Sequence, residues 1–124
     1  MKIEVSNGEI ADKLTILEIK LERIKDTGKL ANLKNEYEEV NHCMSLIMEK
    51  SHTLYRQLYD INSRLWDIED HIRDLERAGD FGEDFIRTAR SVYFINDERS
   101  DVKRKINEVT GSRLFEEKSY EEYK

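Results

Sequence analysis

The sequence predicts an all-α protein: a long central helix with an antiparallel helix on each half, completed as a four-helix-type bundle in a homodimer. Apolar side chains recur at alternating spacings of three and four from Leu30 to Leu75, and proline is absent. Charged residues make up 39% of the chain, as helices with hydrated outer faces require. We expect a single helical domain. Its predicted elements are three helices and a C-terminal short helix or arm, at about 7–26, 29–77, 81–110 and 112–124.

The first predicted helix follows residues 2–5, which alternate in polarity like a short strand or an extended arm. The sequence Ser6-Asn7-Gly8-Glu9 is typical of a capping box at a helix start. We expect the helix to end at Asp26-Thr27-Gly28, where the glycine can adopt a left-handed conformation. The short turn predicts that this helix lies antiparallel to the first half of the next one. Its apolar stripe is Ile10, Leu14, Leu17, Leu21 and Ile24.

The second predicted helix would be about 48 residues and roughly 70 Å long, twice the width of a compact domain of this size. Each half would then be a two-helix hairpin with too little surface to bury, so an antiparallel homodimer is expected. The alternative is a break near Lys50-Ser51-His52 that gives a monomeric four-helix bundle, but no glycine or proline marks it. The heptad stripe is Leu30, Leu33, Tyr37, Val40, Met44, Ile47, Ser51, Leu54, Leu58, Ile61, Leu65, Ile68, Ile72 and Leu75.

The third predicted helix follows Ala78-Gly79 and a second capping box, Asp80-Phe81-Gly82-Glu83, and ends near Thr110-Gly111. Arg99 interrupts its otherwise mostly apolar stripe and needs a carboxylate partner, for which Glu69 and Asp70 are the candidates. The tail beyond Gly111 is expected to dock on the helices. The stripe is Phe81, Phe85, Thr88, Val92, Ile95, Arg99, Val102, Ile106 and Val109.

A second stripe begins near the middle of the long helix and predicts that this half is contacted on two faces: Tyr55, Tyr59, Asn62, Trp66, Glu69 and Arg73. Counting from the turn at 79–82 places Asn62 and Trp66 level with Asn96 and Arg99. We therefore predict a polar cluster between the two helices, which either closes on itself or forms an open ligand site. Its predicted members are Asn62, Trp66, Glu69, Asp70, Arg73, Asn96 and Arg99.

The sequence contains no recognisable catalytic, cofactor or metal-binding motif. A net charge of -6 argues against a general nucleic-acid surface, and no apolar run is long enough to span a membrane. A lone Cys43 and a start without the apolar core of a signal peptide lead us to expect a cytoplasmic protein.

Four stretches carry a resemblance along the whole chain: VSNGEIADKLTILEIKLERI at 5–24, LWDIEDHIR at 65–73, ARSVYFINDER at 89–99 and GSRLFEEKSY at 111–120. Through them the chain resembles a family of short bacterial proteins known only as a domain of unknown function, often encoded beside surface-polysaccharide glycosyltransferases. The group around Trp66 and Arg99 is also similar to the pattern of a second uncharacterised helical family from similar gene settings. The resemblance implies a genetic context and a shared polar core, and it assigns no role to any residue.

These observations favour a non-catalytic helical interaction or scaffold module that holds a protein partner, linked through the resemblance to surface-glycan assembly. Exposed aromatic residues in the tail, Tyr120 and Tyr123, would suit such a docking surface. The alternative is a small helical enzyme or ligand sensor that binds an anionic metabolite with Arg73 and Arg99. The alternative requires these guanidinium groups to line an open cleft, whereas a closed ion pair would favour the module.

Overall fold

The computed structural model describes residues 1–123, and the helices in this range confirm the all-α prediction. Residues 2–5 form no strand. No helix among the described residues combines the length and apolar character that a bilayer crossing needs. The four helices of this part of the chain are α1 (Asn7–Arg23), α2 (Thr27–Ser45), α3 (Thr53–Ala78) and α4 (Glu83–Thr110).

The prediction of one continuous helix over 29–77 is wrong, because residues 46–52 separate α2 from α3. His52 caps the start of α3: its Nδ1 atom accepts a hydrogen bond from the backbone N–H of Leu54 at 3.1 Å. Ser51, the polar member of the heptad stripe, lies in this break. The structure therefore has the broken helix that the sequence offered as the alternative.

Burial explains why the chain bends where no glycine or proline requires it. In a straight helix Met44 and Leu58 would lie about 21 Å apart along the seam, whereas here both are buried in one cluster with α1 and α4 residues. Burying such a side chain contributes about 1.5–3 kcal/mol, more than the helix propensity of a few residues. The cluster comprises Ala11, Leu14, Met44, Tyr55, Leu58, Ile61, Val102 and Ile106.

The central helix is α1, and the prediction of a long central helix is wrong on this point too. Among the described helices, the backbone of α1 lies close to each of the other three, that of α2 lies close to α1 alone, and that of α3 also lies close to α4. The sequence stripe of α1 marks only one of its buried faces. Its buried residues are Gly8, Ala11, Asp12, Leu14, Thr15, Leu17 and Ile19.

The predicted antiparallel pairs are both present. Lys13 of α1 pairs with Glu36 of α2 at 2.9 Å, as expected when a short turn joins the two helices. Arg64 of α3 pairs with Glu98 of α4 at 2.7 Å across the second hairpin. The pairing of neighbouring helices within each half of the sequence was therefore predictable. The way in which the two halves pack on each other was not.

The first helix starts at the predicted cap residue, because the Ser6 hydroxyl accepts the N–H of Glu9 at 3.2 Å. The predicted end at Gly28 is wrong. The helix stops at Arg23, and Asp26 caps the next helix by accepting the N–H of Lys29 at 2.9 Å. Gly28 thus lies inside the first turn of α2.

The ends of α3 and α4 agree with the sequence, since Gly79 and Gly111 adopt left-handed conformations with φ of 67° and 66°. The start of α4 differs from the prediction. Glu83 begins the helix, and its cap residue Gly82 makes no side-chain capping bond. Instead, the Asp80 carboxylate accepts the N–H of Gly82 at 3.1 Å and shapes the turn.

The chain after Gly111 is irregular in the described range and lies along α4; we call residues 112–123 the C-terminal arm. The ring of Tyr123 meets that of Tyr93 edge to face, with centroids 5.2 Å apart. Of the two predicted forms, the arm rather than a short helix is observed. Three ion pairs join it to α4: Glu116 with Lys103 at 3.2 Å, Glu117 with Arg104 at 3.4 Å, and Lys118 with Asp97 at 3.4 Å.

Candidate functional site

A buried carboxylate, Asp12, is the centre of the polar contacts between α1 and the α3–α4 hairpin. Its exposed fraction is 2%. Arg99 donates from Nε to Oδ1 at 2.8 Å and from Nη2 to Oδ2, a two-point contact that matches a guanidinium to a carboxylate. Asn62 donates from Nδ2 to the same Oδ1 at 2.9 Å and to the Thr15 hydroxyl at 2.8 Å. We call Asp12, Thr15, Asn62, Arg99 and Lys103 the Asp12 cluster.

The charges of the Asp12 cluster are balanced within the protein. The hydrogen bond to Asp12 is the main cause that raises the pKa of Arg99. Burial acts to lower the pKa of Lys103, but nearby carboxylates outweigh it, and the net shift is upward. Lys103 contacts Glu9 at 2.7 Å and lies 4.0 Å from Asp12. Every buried side-chain polar atom in the described part of the chain has a hydrogen-bond partner, so no buried polar atom of the cluster is left unsatisfied.

The first turn of α1 is held by groups near the end of α4. The N–H of Gly8 donates to the Asn107 side chain at 2.6 Å, and the N–H of Asn7 donates to the Ser112 hydroxyl at 3.0 Å. A Cβ atom on Gly8 would lie 2.4 Å from the backbone oxygen of Lys103. Only glycine allows this approach, and the N–H groups of the turn are already engaged.

Three of the predicted cluster residues lie at or beside the Asp12 cluster. Asn62 and Arg99 both contact Asp12, and the Asn96 side chain accepts from Arg99 at 3.5 Å. Arg99 therefore points inward and meets a carboxylate, as its place in an apolar stripe required. The predicted partners Glu69 and Asp70 are wrong, because Asp12 of α1 fills that position.

The other four predicted residues lie apart from Asp12 on α3. The guanidinium of Arg23 lies 5.8 Å from the Trp66 ring centroid. Glu69 and Arg73 form an exposed pair one helical turn apart, at 3.5 Å. Asp70 is exposed and contributes to raising the pKa of Arg23, for which the hydrogen bond to Asp67 is the main cause. The predicted residues are thus divided between a buried cluster and a hydrated helix face.

Comparison with known proteins gives the chain a family. A family model described as a family of unknown function, DUF6165, matches residues 1–123. The chain belongs to DUF6165. No curated protein and no solved structure gives a significant match to it. Membership covers the whole described chain and brings no activity with it.

Sequence reasoning missed Asp12 in this DUF6165 protein because it followed one apolar stripe along α1. A second pattern was present: Gly8, Asp12, Thr15 and Ile19 recur at spacings of four, three and four, and all are buried. Small and polar residues do not register as a core-facing stripe. Because α1 is contacted on several faces, Gly8, Asp12 and Thr15 meet polar groups of α3 and α4.

The second predicted stripe of the DUF6165 chain does contact α1. The hydroxyl of fully buried Tyr55 donates to Glu18 at 2.9 Å, and that of Tyr59 donates to Glu22 at 2.7 Å. Burial, followed by the bond to Glu18, raises the pKa of Tyr55. Among residues 1–123, no three histidine, cysteine, aspartate or glutamate side chains converge as a metal site. The side chains of Tyr55, Tyr59 and Asn62 thus join α3 to α1.

Proposed function

We propose that this DUF6165 protein is a non-catalytic helical interaction module that forms a homodimer and holds a protein partner. The observation that carries the proposal is the length of the α3–α4 hairpin, which runs on past the helix that supports its base. The link to surface-glycan assembly comes from the sequence resemblance alone. A cytoplasmic location is proposed because Cys43 is a free, exposed thiol, which suits a reducing compartment.

The hairpin extends beyond α1 at its closed end. Arg23, the last residue of α1, contacts Trp66 and Asp67 of α3. Residues 68–78 of α3 continue from there for about 16 Å, paired with the first part of α4. We call residues 68–94 the hairpin tip. A pair of helices has only one shared seam, so each helix of the tip keeps further surface open, except where the C-terminal arm lies against α4 near Tyr93.

Apolar side chains occupy this open surface. Phe81 and Ile86 are 57% and 56% exposed. The Phe81 ring packs edge to face on Phe85, with centroids 5.3 Å apart, so the turn itself presents aromatic surface. Grouped exposed apolar residues on a small protein mark interaction surfaces.

A second copy of the chain is the partner that suits the hairpin tip. Two tips packed about a two-fold axis would make a four-helix bundle, in which each open face meets its own counterpart. The tip carries Arg73, Arg77, Arg87 and Arg90 among several carboxylates, so opposite charges are available at the rim. The α3–α4 seam would continue through this dimer as a short coiled coil.

The Asp12 cluster supports a non-catalytic role. An enzyme or sensor for an anionic metabolite needs guanidinium groups that a ligand can reach. Arg99 is instead bound at two points by Asp12, and Arg73 is paired with Glu69 on the surface. The contacts of these two residues therefore favour a structural role, as partners of carboxylates within the protein, over anion binding.

The homodimer is tested by measuring mass in solution over a range of protein concentrations with light scattering. We expect twice the chain mass of 14.8 kDa for the wild type and a shift to the monomer for Ile86→Glu. Because a charge buried in the interface is costly, the dissociation constant of the dimer should rise by at least about tenfold. Val109→Glu is the matched control: Val109 is 61% exposed on the same helix, outside the tip.

Two outcomes would contradict the dimer. One is a wild-type mass of a single chain at every concentration. The other is equal dissociation of the Ile86→Glu and Val109→Glu proteins, which would mean that the tip is not the contact surface.

A further inference from the structure

An open groove of about 810 Å³ lies between α4 and the C-terminal arm. Three tyrosines line it: Tyr93 on α4, and Tyr120 and Tyr123 on the arm. Their exposed fractions are 42%, 82% and 48%, so the rings present their surfaces to solvent. Ala89 and Val92 supply an apolar floor. Exposed aromatic rings over an apolar floor are typical of binding grooves.

The charge of this groove has one dominant sign. Of the described residues that line it, four carry carboxylates, namely Asp97, Asp101, Glu121 and Glu122, and one, Lys118, carries an ammonium group. Aromatic faces and carboxylates both attract cations, since the ring face carries negative electrostatic potential. The groove is therefore complementary to a positively charged partner that also has apolar groups.

The contacts of Lys118 show how such a cation is held. Its Nζ atom lies 3.4 Å from an Asp97 oxygen and 5.6 Å from the centroid of the Tyr120 ring. A carboxylate on one side and a ring face on the other is the usual arrangement of a cation–π site. The groove thus already holds an ammonium group supplied by its own arm.

We propose that the groove binds an extended, basic segment of a partner protein, in which lysine or arginine accompanies an apolar residue. Asp97 already holds Lys118 and the Tyr123 hydroxyl, so the carboxylates that would meet the cations of the segment are Asp101 on α4 and Glu121 and Glu122 on the arm. From Ala89 to Asp101 the floor rises by about 18 Å, which accommodates five or six extended residues. This inference rests on the proposed interaction role and names the chemistry of the partner.

The test uses two synthetic hexapeptides with blocked ends, each with a leucine and two alternate lysines. The lysines are free in one peptide and Nε-acetylated in the other. Calorimetric titration into the full-length protein should show binding of the free-lysine peptide and at least about tenfold weaker binding of its acetylated twin. Added salt should weaken the binding, because the contacts are exposed to solvent.

Two variants locate the binding in the groove. Asp101→Asn should weaken the binding of the free-lysine peptide about two- to fivefold. Tyr120→Ala should weaken it by a similar factor without changing any charge. The matched control is Asp60→Asn, which removes the same charge from an exposed position of α3 and should bind as the wild type does. Circular dichroism of each variant checks that the helices are retained.

Several results would overturn the proposal: equal binding of the two peptides, no binding at millimolar concentration, or equal weakening by Asp101→Asn and Asp60→Asn. Spermidine that binds as tightly as the peptide would contradict an extended segment as the occupant. The Ile86→Glu protein separates this question from the dimer. If a monomer binds the peptide as tightly as expected, the groove proposal is supported and the dimer proposal is not. If the wild type is a stable dimer that does not bind the peptide, the groove proposal is refuted and the dimer proposal stands.

Discussion

Replacing Arg99 with leucine should be among the most destabilising single changes in this protein. The substitution leaves the carboxylate of Asp12, which is 2% exposed, without its two-point partner. Asn62 still donates one hydrogen bond, and Lys103 remains 4.0 Å away. Removing one partner of a buried pair costs about 3–5 kcal/mol, a large part of the 5–15 kcal/mol that holds a typical domain folded.

The reverse change should cost less, because the two partners differ in exposure. The Arg99 side chain is 29% exposed, so after Asp12→Asn its guanidinium can reach water. The amide of the new asparagine can still accept a hydrogen bond. We expect a loss of about 1–3 kcal/mol for Asp12→Asn, clearly smaller than that for Arg99→Leu. The order of the two losses follows from burial alone.

The double variant Asp12→Asn, Arg99→Leu contains no stranded charge. Its loss of stability should therefore be smaller than the sum of the single losses, with a coupling of about 1–3 kcal/mol. Urea unfolding followed by circular dichroism at about 222 nm measures each free energy of unfolding. Additive losses, or an Arg99→Leu protein within about 0.5 kcal/mol of the wild type, would refute the reasoning.

Two further predictions concern the helix start and the arm. Gly8→Ala should lower the free energy of unfolding by about 1–3 kcal/mol, since its Cβ would lie 2.4 Å from the Lys103 oxygen. Gly28→Ala is the control and should be neutral or slightly stabilising, because the nearest atom is 3.4 Å away. Equal effects of the two substitutions in thermal melts would contradict the close contact at Gly8. The hydrogen bond to Asp97 raises the pKa of Tyr123 to about 12. The contribution of this bond to stability is therefore fully present below pH 10.0 and is lost as the pH rises through about 12. An absorbance titration of the wild type minus Tyr123→Phe should show this late tyrosinate, and a midpoint near 10.0 would count against the contact.

Local features of the fold were predictable because local chemistry determines them. The Ser6 cap and the left-handed Gly79 and Gly111 follow from backbone groups within a few residues of each position. The break over residues 46–52 was not predictable in this way. It arises from burial of distant side chains, and a continuous heptad stripe looks the same whether its two halves are stacked end to end or folded back.

The site shows the same division between local and distant causes. The place of Arg99 in an apolar stripe correctly predicted an inward guanidinium that needs a carboxylate. Counting levels along the α3–α4 hairpin placed Asn62 near Arg99, which the shared contact with Asp12 supports. The identity of that carboxylate depended on where α1 lies. Glu69 was closer along the expected hairpin, but the central position of α1 brings Asp12 to the guanidinium.

The hydrogen bonds between α4 and the first turn of α1 affect when the chain can fold during its synthesis. Gly8 and its partner Asn107 are separated by 99 positions in sequence. At roughly 5–20 residues per second, a ribosome needs about 5–20 s to synthesise the segment between them. The central helix α1 leaves the ribosome before α4, whose side chains complete its surroundings. Folding to the final structure therefore has to wait until α4 has been made, and until then α1 and the Asp12 carboxylate depend on water for the contacts that α4 will provide.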